Sequence, residues 1–161
     1  MAARKSAKTA RAKRNSRKAK PRSARSRART RPLALQSASP SLTVNNLRRS
    51  LKWYRDVLGF AVEETWKRKG KVVGVSLQAG DVSFMIGQDD WKKGRNRKKG
   101  QGFRMFCTSK RRVDALAERI EARGGKLDQG PMDQPWGVRD ISLTDPDGFK
   151  ITIANEKRGQ R

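Results

Sequence analysis

The stretch TDPDGFKITIAN, residues 144–155, decides the fold. Residues 145–148 have the composition of a turn, and the alternating residues after them are typical of a β-strand. In such a strand Ile151 and Ile153 point to one face and Thr152 points to the other. The stretch therefore predicts a β-hairpin, and its function depends on whether Thr152 faces a metal, a ligand or water.

Upstream, the same order of elements occurs twice: a short strand, a helix and three strands. In the first copy the strand is SLTV, residues 41–44, and Asn46 is a candidate N-cap for the helix that follows. Leu47, Leu51 and Tyr54 lie on one face of this helix, and Gly59 suits its C-terminus. Three strands are predicted after it, in residues 60–67, 71–78 and 82–88.

The second copy begins with a strand in residues 102–108. Its helix, in residues 111–125, is predicted to be capped by Thr108 or Ser109 and to end at a pair of glycines. Strands are then expected around residues 126–129, 138–143 and 149–154.

These repeats predict an α+β fold of two βαβββ modules, which form a curved mixed sheet around a cleft with one helix on the outer face of each module. We assign residues 39–161 to this domain. The modules span about residues 39–90 and 101–156, and the basic loop WKKGRNRKKG, residues 91–100, links them.

Residues 1–38 form a tail rich in Lys and Arg. The chain has 40 Lys and Arg against 15 Asp and Glu, and 14 of the basic residues but none of the acidic ones lie in residues 1–31. A segment with so little apolar surface cannot offset the entropy lost on ordering, so the tail is predicted to be disordered.

The tail and the linker loop are candidates for non-specific, salt-sensitive contact with DNA or RNA. Closely spaced basic residues suit phosphates, and Trp91 offers a surface for stacking. The proposed contacts are Arg11, Lys13, Arg14, Arg17, Lys18, Lys92, Lys93, Arg95 and Arg97. A tail that only improves solubility and an organelle transit peptide are the alternatives.

The single cysteine, Cys107, excludes an internal disulfide and is compatible with a reducing cytoplasm. It lies in an apolar run and is interpreted as a buried thiol, because the chain has no histidine to activate it. No apolar stretch is long enough to span a membrane. A cytoplasmic protein without a membrane partner is expected, and nucleoid association is left open.

The phrases LTVNNLRRSLKWYRDVLGF and PWGVRDISLTDPDGFKITI, in this order, resemble the vicinal oxygen chelate superfamily. That group includes glyoxalase I, extradiol dioxygenases and bleomycin-resistance proteins. Its enzymes hold a divalent metal through His and Glu. By register, the resemblance puts the ligand positions at Ser39, near Phe103 and at Thr152. Since these residues cannot replace imidazole and carboxylate ligands, neither a metal nor another cofactor is expected. An all-oxygen site of Asp140, Glu63, Glu64 and Asp81 is the alternative, although these acids also suit solvated strand edges.

The bleomycin-resistance members of the superfamily are dimers that sequester a drug in a cleft without chemistry. Their resemblance implies a homodimer that binds an unknown small molecule, and the basic balance of this domain favours an aromatic or anionic ligand over a cationic one. The candidate ligand-binding residues are Trp136, Trp66, Met85, Phe103, Asp140 and Thr152. No catalytic residue is assigned. A nucleic-acid-associated protein and a lyase or dioxygenase with a non-standard site are the competing hypotheses.

Overall fold

The computed structural model describes Ala34 and residues 36–156. The predicted tail, with its candidate contacts from Arg11 to Lys18, lies outside these residues except for its last few positions. The described part is an α+β fold with two four-stranded mixed sheets, as the sequence predicts.

The first module follows the predicted order closely. Asn46 caps its helix through a hydrogen bond from the backbone N–H of Arg49, and Gly59, at φ 79°, ends the helix in the left-handed conformation. The elements of this module are β1 (Ser41–Val44), α1 (Leu47–Trp53) with a π-helical continuation (Tyr54–Leu58), β2 (Ala61–Arg68), β3 (Lys71–Ala79) and β4 (Val82–Gln88). The sheet order β1-β4-β3-β2 places β1 at an edge, parallel to β4.

The second module repeats this topology. Two predictions for it are wrong in detail. The strand expected at 126–129 lies instead at Gln129–Asp133. The N-cap position of the helix is Arg112, whose side chain makes no capping hydrogen bond, and Ser109 accepts from the backbone N–H of Arg111 in the turn before it. The elements are β5 (Arg104–Thr108), α2 (Val113–Ala122), β6 (Gln129–Asp133), β7 (Val138–Thr144) and β8 (Lys150–Glu156). The strands of this sheet follow the order β5-β8-β7-β6.

The two modules share one hydrophobic core. Fully buried side chains of the first module, such as Tyr54 and Phe84, belong to the same cluster as Ile141 and Leu143 of the second. Both helices contribute to this cluster, and α2 also contacts the π-helical turn. Since each sheet turns its apolar face to this core, the opposite face of each sheet points away from it.

The turn after β7 latches the second module to the first. The Tyr54 hydroxyl donates to Oδ2 of Asp145 at 2.9 Å, and the Ser50 hydroxyl donates to Oδ2 of Asp147 at 2.6 Å. The backbone N–H of Asn45 donates to the other oxygen of Asp147 at 2.7 Å. Burial raises the pKa of Asp145, against the lowering effect of the hydrogen bonds that it accepts from the backbone N–H of Phe149 and from Tyr54. These buried carboxylates therefore join helix α1 to the turn that the sequence singles out.

The linker loop is folded onto the domain around one buried acid. Asp89 pairs with Lys99 and, at 3.2 Å, with Arg97, and it also accepts from the backbone N–H of Trp91. The Lys99 hydrogen bond and then the Trp91 N–H lower the pKa of Asp89. Arg95 stacks over the Trp91 ring at 5.2 Å. Within the described residues, neither helix is long and apolar enough to cross a membrane.

Candidate functional site

The faces of the two sheets that point away from the shared core carry most of the candidate ligand-binding residues. Residues paired across neighbouring strands project from the same face of a sheet, so the strand registers define which side chains lie side by side. We call these the first open face, formed by β1 to β4, and the second open face, formed by β5 to β8.

The first open face has an aromatic floor. The register places Trp66 beside Gly74, and a Cβ atom built on Gly74 would lie 3.0 Å from Cε3 of the indole. Glycine at this position therefore lets the Trp66 ring lie flat over β3. The indole N–H donates to Glu64 at 3.0 Å, which fixes the ring. Trp66, Gly74 and Met85 line a depression of about 300 Å³.

The second open face has a cationic centre. Arg104 donates to the Thr152 hydroxyl at 2.5 Å and to the Ser142 hydroxyl at 3.3 Å, and these hydroxyls lie 3.2 Å apart. Thr152 is only 4% exposed, whereas Arg104 is exposed. Lys150 is the register partner of Arg104 on β8. The face toward which Thr152 points is thus occupied by a guanidinium held in place by two hydroxyls.

Asp140 lies on the same face, one register row from Thr152. It is 4% exposed, and its Oδ1 accepts from the side-chain amides of Gln134 at 2.8 Å and Gln129 at 3.3 Å. Both amides bond the same oxygen of the carboxylate, so neighbouring side chains of β6 and the β6–β7 loop hold Asp140 in the face.

A model of the Glyoxalase/Bleomycin resistance protein/Dioxygenase superfamily matches residues 35–153. The chain belongs to this superfamily. The match spans both modules and the linker loop, and it confirms the resemblance carried by the two sequence phrases.

Solved structures with this fold come from several bacteria. TnmS3, an antibiotic binding protein from Streptomyces sp. CB03234, is 21% identical, with a TM-score of 0.61, and the match covers 78% of this chain and 100% of TnmS3. TioX from Micromonospora sp. ML1 is 19% identical, with a TM-score of 0.61 and coverage of 75% and 100%. A glyoxalase/bleomycin resistance protein/dioxygenase from Nocardioides is 18% identical, with a TM-score of 0.62 and coverage of 81% and 89%. At these identities the likeness concerns the fold.

The residues at the positions to which the resemblance assigns metal ligands do not fit a divalent metal. The Ser39 hydroxyl is hydrogen-bonded to that of Ser83 at 3.2 Å, and Phe103 packs edge to face on Phe149 with ring centroids 5.9 Å apart. Thr152 is bonded to the Arg104 guanidinium, whose permanent charge repels a cation. Among residues 34 and 36–156, no group of three or more Cys, Asp or Glu side chains is arranged to hold a metal.

The structure separates the six candidate ligand-binding residues. Trp66 and Met85 lie on the first open face, whereas Asp140 and Thr152 lie on the second. Phe103 precedes β5 and packs against the core. Trp136 lies in the β6–β7 loop and is 68% exposed, so it is accessible to a ligand or a partner.

The candidate acids and the linker cations have ordinary surroundings. Glu63 and Glu64 accept hydrogen bonds from Ser76 and Trp66 at the exposed edge of the first sheet. In the linker loop Lys92 pairs with Asp90 at 3.5 Å, and Lys93 is exposed.

Sequence analysis missed Arg104, which the geometry makes the most informative residue of the second open face. It follows Phe103 directly, and its alternation with Met105 would place it on the same face as Thr152 if β5 and β8 were known to be neighbours. The sequence alone does not show that β5 and β8 are neighbours, because the two strands are more than 40 residues apart in the chain and pair only in the folded module.

Proposed function

We propose that this protein binds a small molecule and sequesters or carries it without a metal, and that the ligand is aromatic and carries an anionic group. One observation carries the proposal. Arg104, held by Thr152 and Ser142, places its guanidinium on Thr152, the position to which the resemblance assigns the carboxylate ligand of a metal. A guanidinium attracts an anion where the enzymes need a cation.

The aromatic part of the ligand is assigned to the first open face. Trp66 presents a flat ring, fixed by Glu64 and made accessible by Gly74. A planar ligand stacks well on such a surface, and the flexible Met85 adapts to its outline. An antibiotic-binding protein among the structural neighbours supports this class of function.

Two copies of the chain are needed to complete the site in this proposal. The two open faces point away from the same core, so one chain supplies two half-sites rather than one cleft. A two-fold dimer would set the first open face of one copy against the second open face of the other, twice. Such contact would also cover Phe106 and Met132, which are 55% and 48% exposed on the second open face.

A thermal-shift screen tests the function. The full chain is titrated with aromatic acids, their neutral amides and aliphatic acids, each with EDTA and with added divalent metals. Aromatic acids should raise the melting temperature most, equally with and without EDTA. Stabilisation that requires a metal would contradict the proposal and favour an enzyme.

Two variants locate the effect. Arg104→Gln should weaken the binding of aromatic acids roughly tenfold, because a hydrogen-bonded charge is lost. The binding of their neutral amides should not change. Arg48→Gln is the matched control, since Arg48 is also exposed but lies on helix α1. Equal losses in both variants would assign the effect to net charge alone.

Non-specific binding of nucleic acid is a second candidate, favoured by the folded linker loop. The loop holds Arg95 on the Trp91 ring and leaves Lys93 and Lys98 exposed. Affinity for single-stranded DNA should fall steeply with salt, and replacing these three cations by Gln should flatten the salt dependence. An unchanged slope would assign any affinity to the tail.

A further inference from the structure

We propose a second small-molecule site, separate from both open faces, for a small carboxylate with an apolar body. The site is a cavity between the modules, which we call the junction cavity. It lies on the core side of the sheets, so its occupancy does not depend on the function proposed above.

The junction cavity is built from both modules. The end of helix α1 and the β3–β4 hairpin form one wall, and β5, β8 and helix α2 form the other. Most of its lining is aliphatic or aromatic, and the polar lining residues are Thr108, Ser109 and Arg119. The lining residues are Val57, Leu58, Phe60, Ala79, Val82, Met105, Cys107, Thr108, Ser109, Leu116, Arg119, Ile120, Ile151 and Ile153.

The size of the cavity sets the size of the ligand. Its volume is about 150 Å³. Apolar protein cavities of about this volume accept benzene, so the apolar body should be an aromatic ring or a chain of about six carbons. Larger polycyclic molecules do not fit.

The charge beside the cavity sets the polar group of the ligand. Arg119 is the one charged residue of the lining, and Arg123 lies next to it over Gly59. A Cβ atom built on Gly59 would lie 3.2 Å from Nη1 of Arg123 and 3.5 Å from Nη2 of Arg119. The two guanidiniums therefore sit together, and two adjacent forks are suited to a carboxylate.

Neither guanidinium is neutralised within the part of the chain that the structure describes. No ion pair or side-chain hydrogen bond joins the guanidinium of Arg119 or Arg123 to another described residue. Asp56 is the acid near Arg123, but its pKa is lowered first by the hydrogen bond from Arg55, with which it pairs at 2.8 Å. An unpaired cation pair at the edge of an apolar cavity is what a carboxylate with an apolar body recognises.

Cys107 provides the test, because it lines the junction cavity and is the single cysteine of the chain. Burial raises the pKa of its thiol, so it should react slowly with a maleimide, and the rate should report access to the cavity. The reaction of the full chain is followed at mildly alkaline pH with hexanoate or benzoate, and with hexanol or benzyl alcohol as neutral analogues.

We expect hexanoate and benzoate to slow the modification of Cys107 at least about fivefold at saturation. The neutral alcohols should bind about three- to fivefold more weakly than the acids. This is the difference in affinity expected from one solvent-exposed ion pair between the ligand carboxylate and a guanidinium. Arg119→Gln should remove this difference between acid and alcohol, and Arg104→Gln on the second open face should not. An unchanged preference for acids in Arg119→Gln would overturn the assignment of the anionic group.

Two cavity-filling variants separate binding from a general change in stability. Leu116→Trp fills the cavity from helix α2, and Ala79→Leu fills it from the β3–β4 hairpin of the other module. Either variant that retains a cooperative melting transition should lose protection of Cys107. Protection of Cys107 that persists in a cavity-filling variant would overturn the proposal. A lack of protection by every probe in the wild-type chain would also overturn it.

Discussion

Removing the Tyr54 hydroxyl tests whether buried carboxylates latch the two modules together. Tyr54 has no exposed surface, and its hydroxyl donates to Asp145 at 2.9 Å. Tyr54→Phe keeps the ring and its packing on Phe84 but leaves one oxygen of a buried carboxylate without its donor. A hydrogen bond to a charged group contributes roughly 1.5–3 kcal/mol, so the variant should lose about 2 kcal/mol of unfolding free energy. For a domain of this size that corresponds to a melting temperature lower by about 6–10 °C.

The loss should depend on pH, with a sign that follows from the pKa of Asp145. Burial already raises this pKa above its ordinary value, and the Tyr54 hydrogen bond opposes that rise. Without the hydroxyl the folded-state pKa rises further. A raised folded-state pKa stabilises the protonated protein and costs stability as the pH increases through that pKa. The deficit of Tyr54→Phe should therefore be smallest in acid, grow as the pH rises from the wild-type folded pKa to that of the variant, and then stay constant.

Urea denaturation at several pH values measures this effect, with Asp145→Asn as the background control. Asn keeps an oxygen for the N–H groups of Asp147 and Phe149 but does not titrate. In that background the deficit of Tyr54→Phe should become independent of pH. A deficit below about 0.5 kcal/mol, or one equally dependent on pH in both backgrounds, would refute the latch.

Three further predictions concern single positions. Gly74→Ala should displace the Trp66 ring from β3 and weaken the binding of an aromatic anion such as anilinonaphthalene sulfonate about tenfold, as measured by fluorescence titration. Gly130→Ala, with open space around its Cβ, is the control and should leave this affinity unchanged. Equal effects of the two variants would contradict the role of Gly74. Gly100 has a φ of 72°, and Gly100→Ala would place a Cβ atom against the carbonyl oxygen of Gly148. The variant should lose more than about 3 kcal/mol of unfolding free energy in chemical denaturation. In the control variant, Gly94→Ala, the added Cβ atom meets no other atom, so the loss of unfolding free energy should be about 1 kcal/mol. Similar losses in the two variants would contradict the close approach of Gly100 to Gly148. Asp89→Asn should release Lys99 and Arg97 and speed tryptic cleavage within the linker loop, as seen by mass spectrometry; unchanged cleavage would show that the loop is held by other contacts.

The local parts of the fold could be predicted because their signals are local. Asn46 and Gly59 mark the ends of helix α1, and the turn at 145–148 marks the last hairpin. The sequence predicts the strand at Gln129–Asp133 too early in the chain, at 126–129, because Gly130 and Pro131 are poor strand formers. Its position is set by pairing with β7, with a register irregularity between Gln129 and Met132. That pairing is a tertiary property which a propensity scan does not contain.

The sequence predicts which face of the sheet a candidate residue lies on, but not which residue it contacts there. Alternation alone placed Thr152 opposite Ile151 and Ile153, and the structure agrees, since Ile151 lies in the core and Thr152 on the open face. The residue that meets Thr152 is Arg104, which comes from a strand 48 positions away. Likewise, the sequence does not reveal that the two open faces belong to opposite sides of one core, because that depends on how the modules pack.

Mixing two damaged chains tests the central claim most directly. Trp66→Ala damages the first open face, and Arg104→Gln damages the second. If each cleft combines the first open face of one copy with the second of another, a mixed dimer of these variants contains one intact cleft and one that is doubly damaged. Each variant alone should bind anilinonaphthalene sulfonate weakly, and co-refolded mixtures should regain high-affinity sites, at one per mixed dimer, equally with and without EDTA. Binding that stays weak in mixtures shown by mass spectrometry to contain the mixed dimer would contradict a metal-free cleft completed by a second copy.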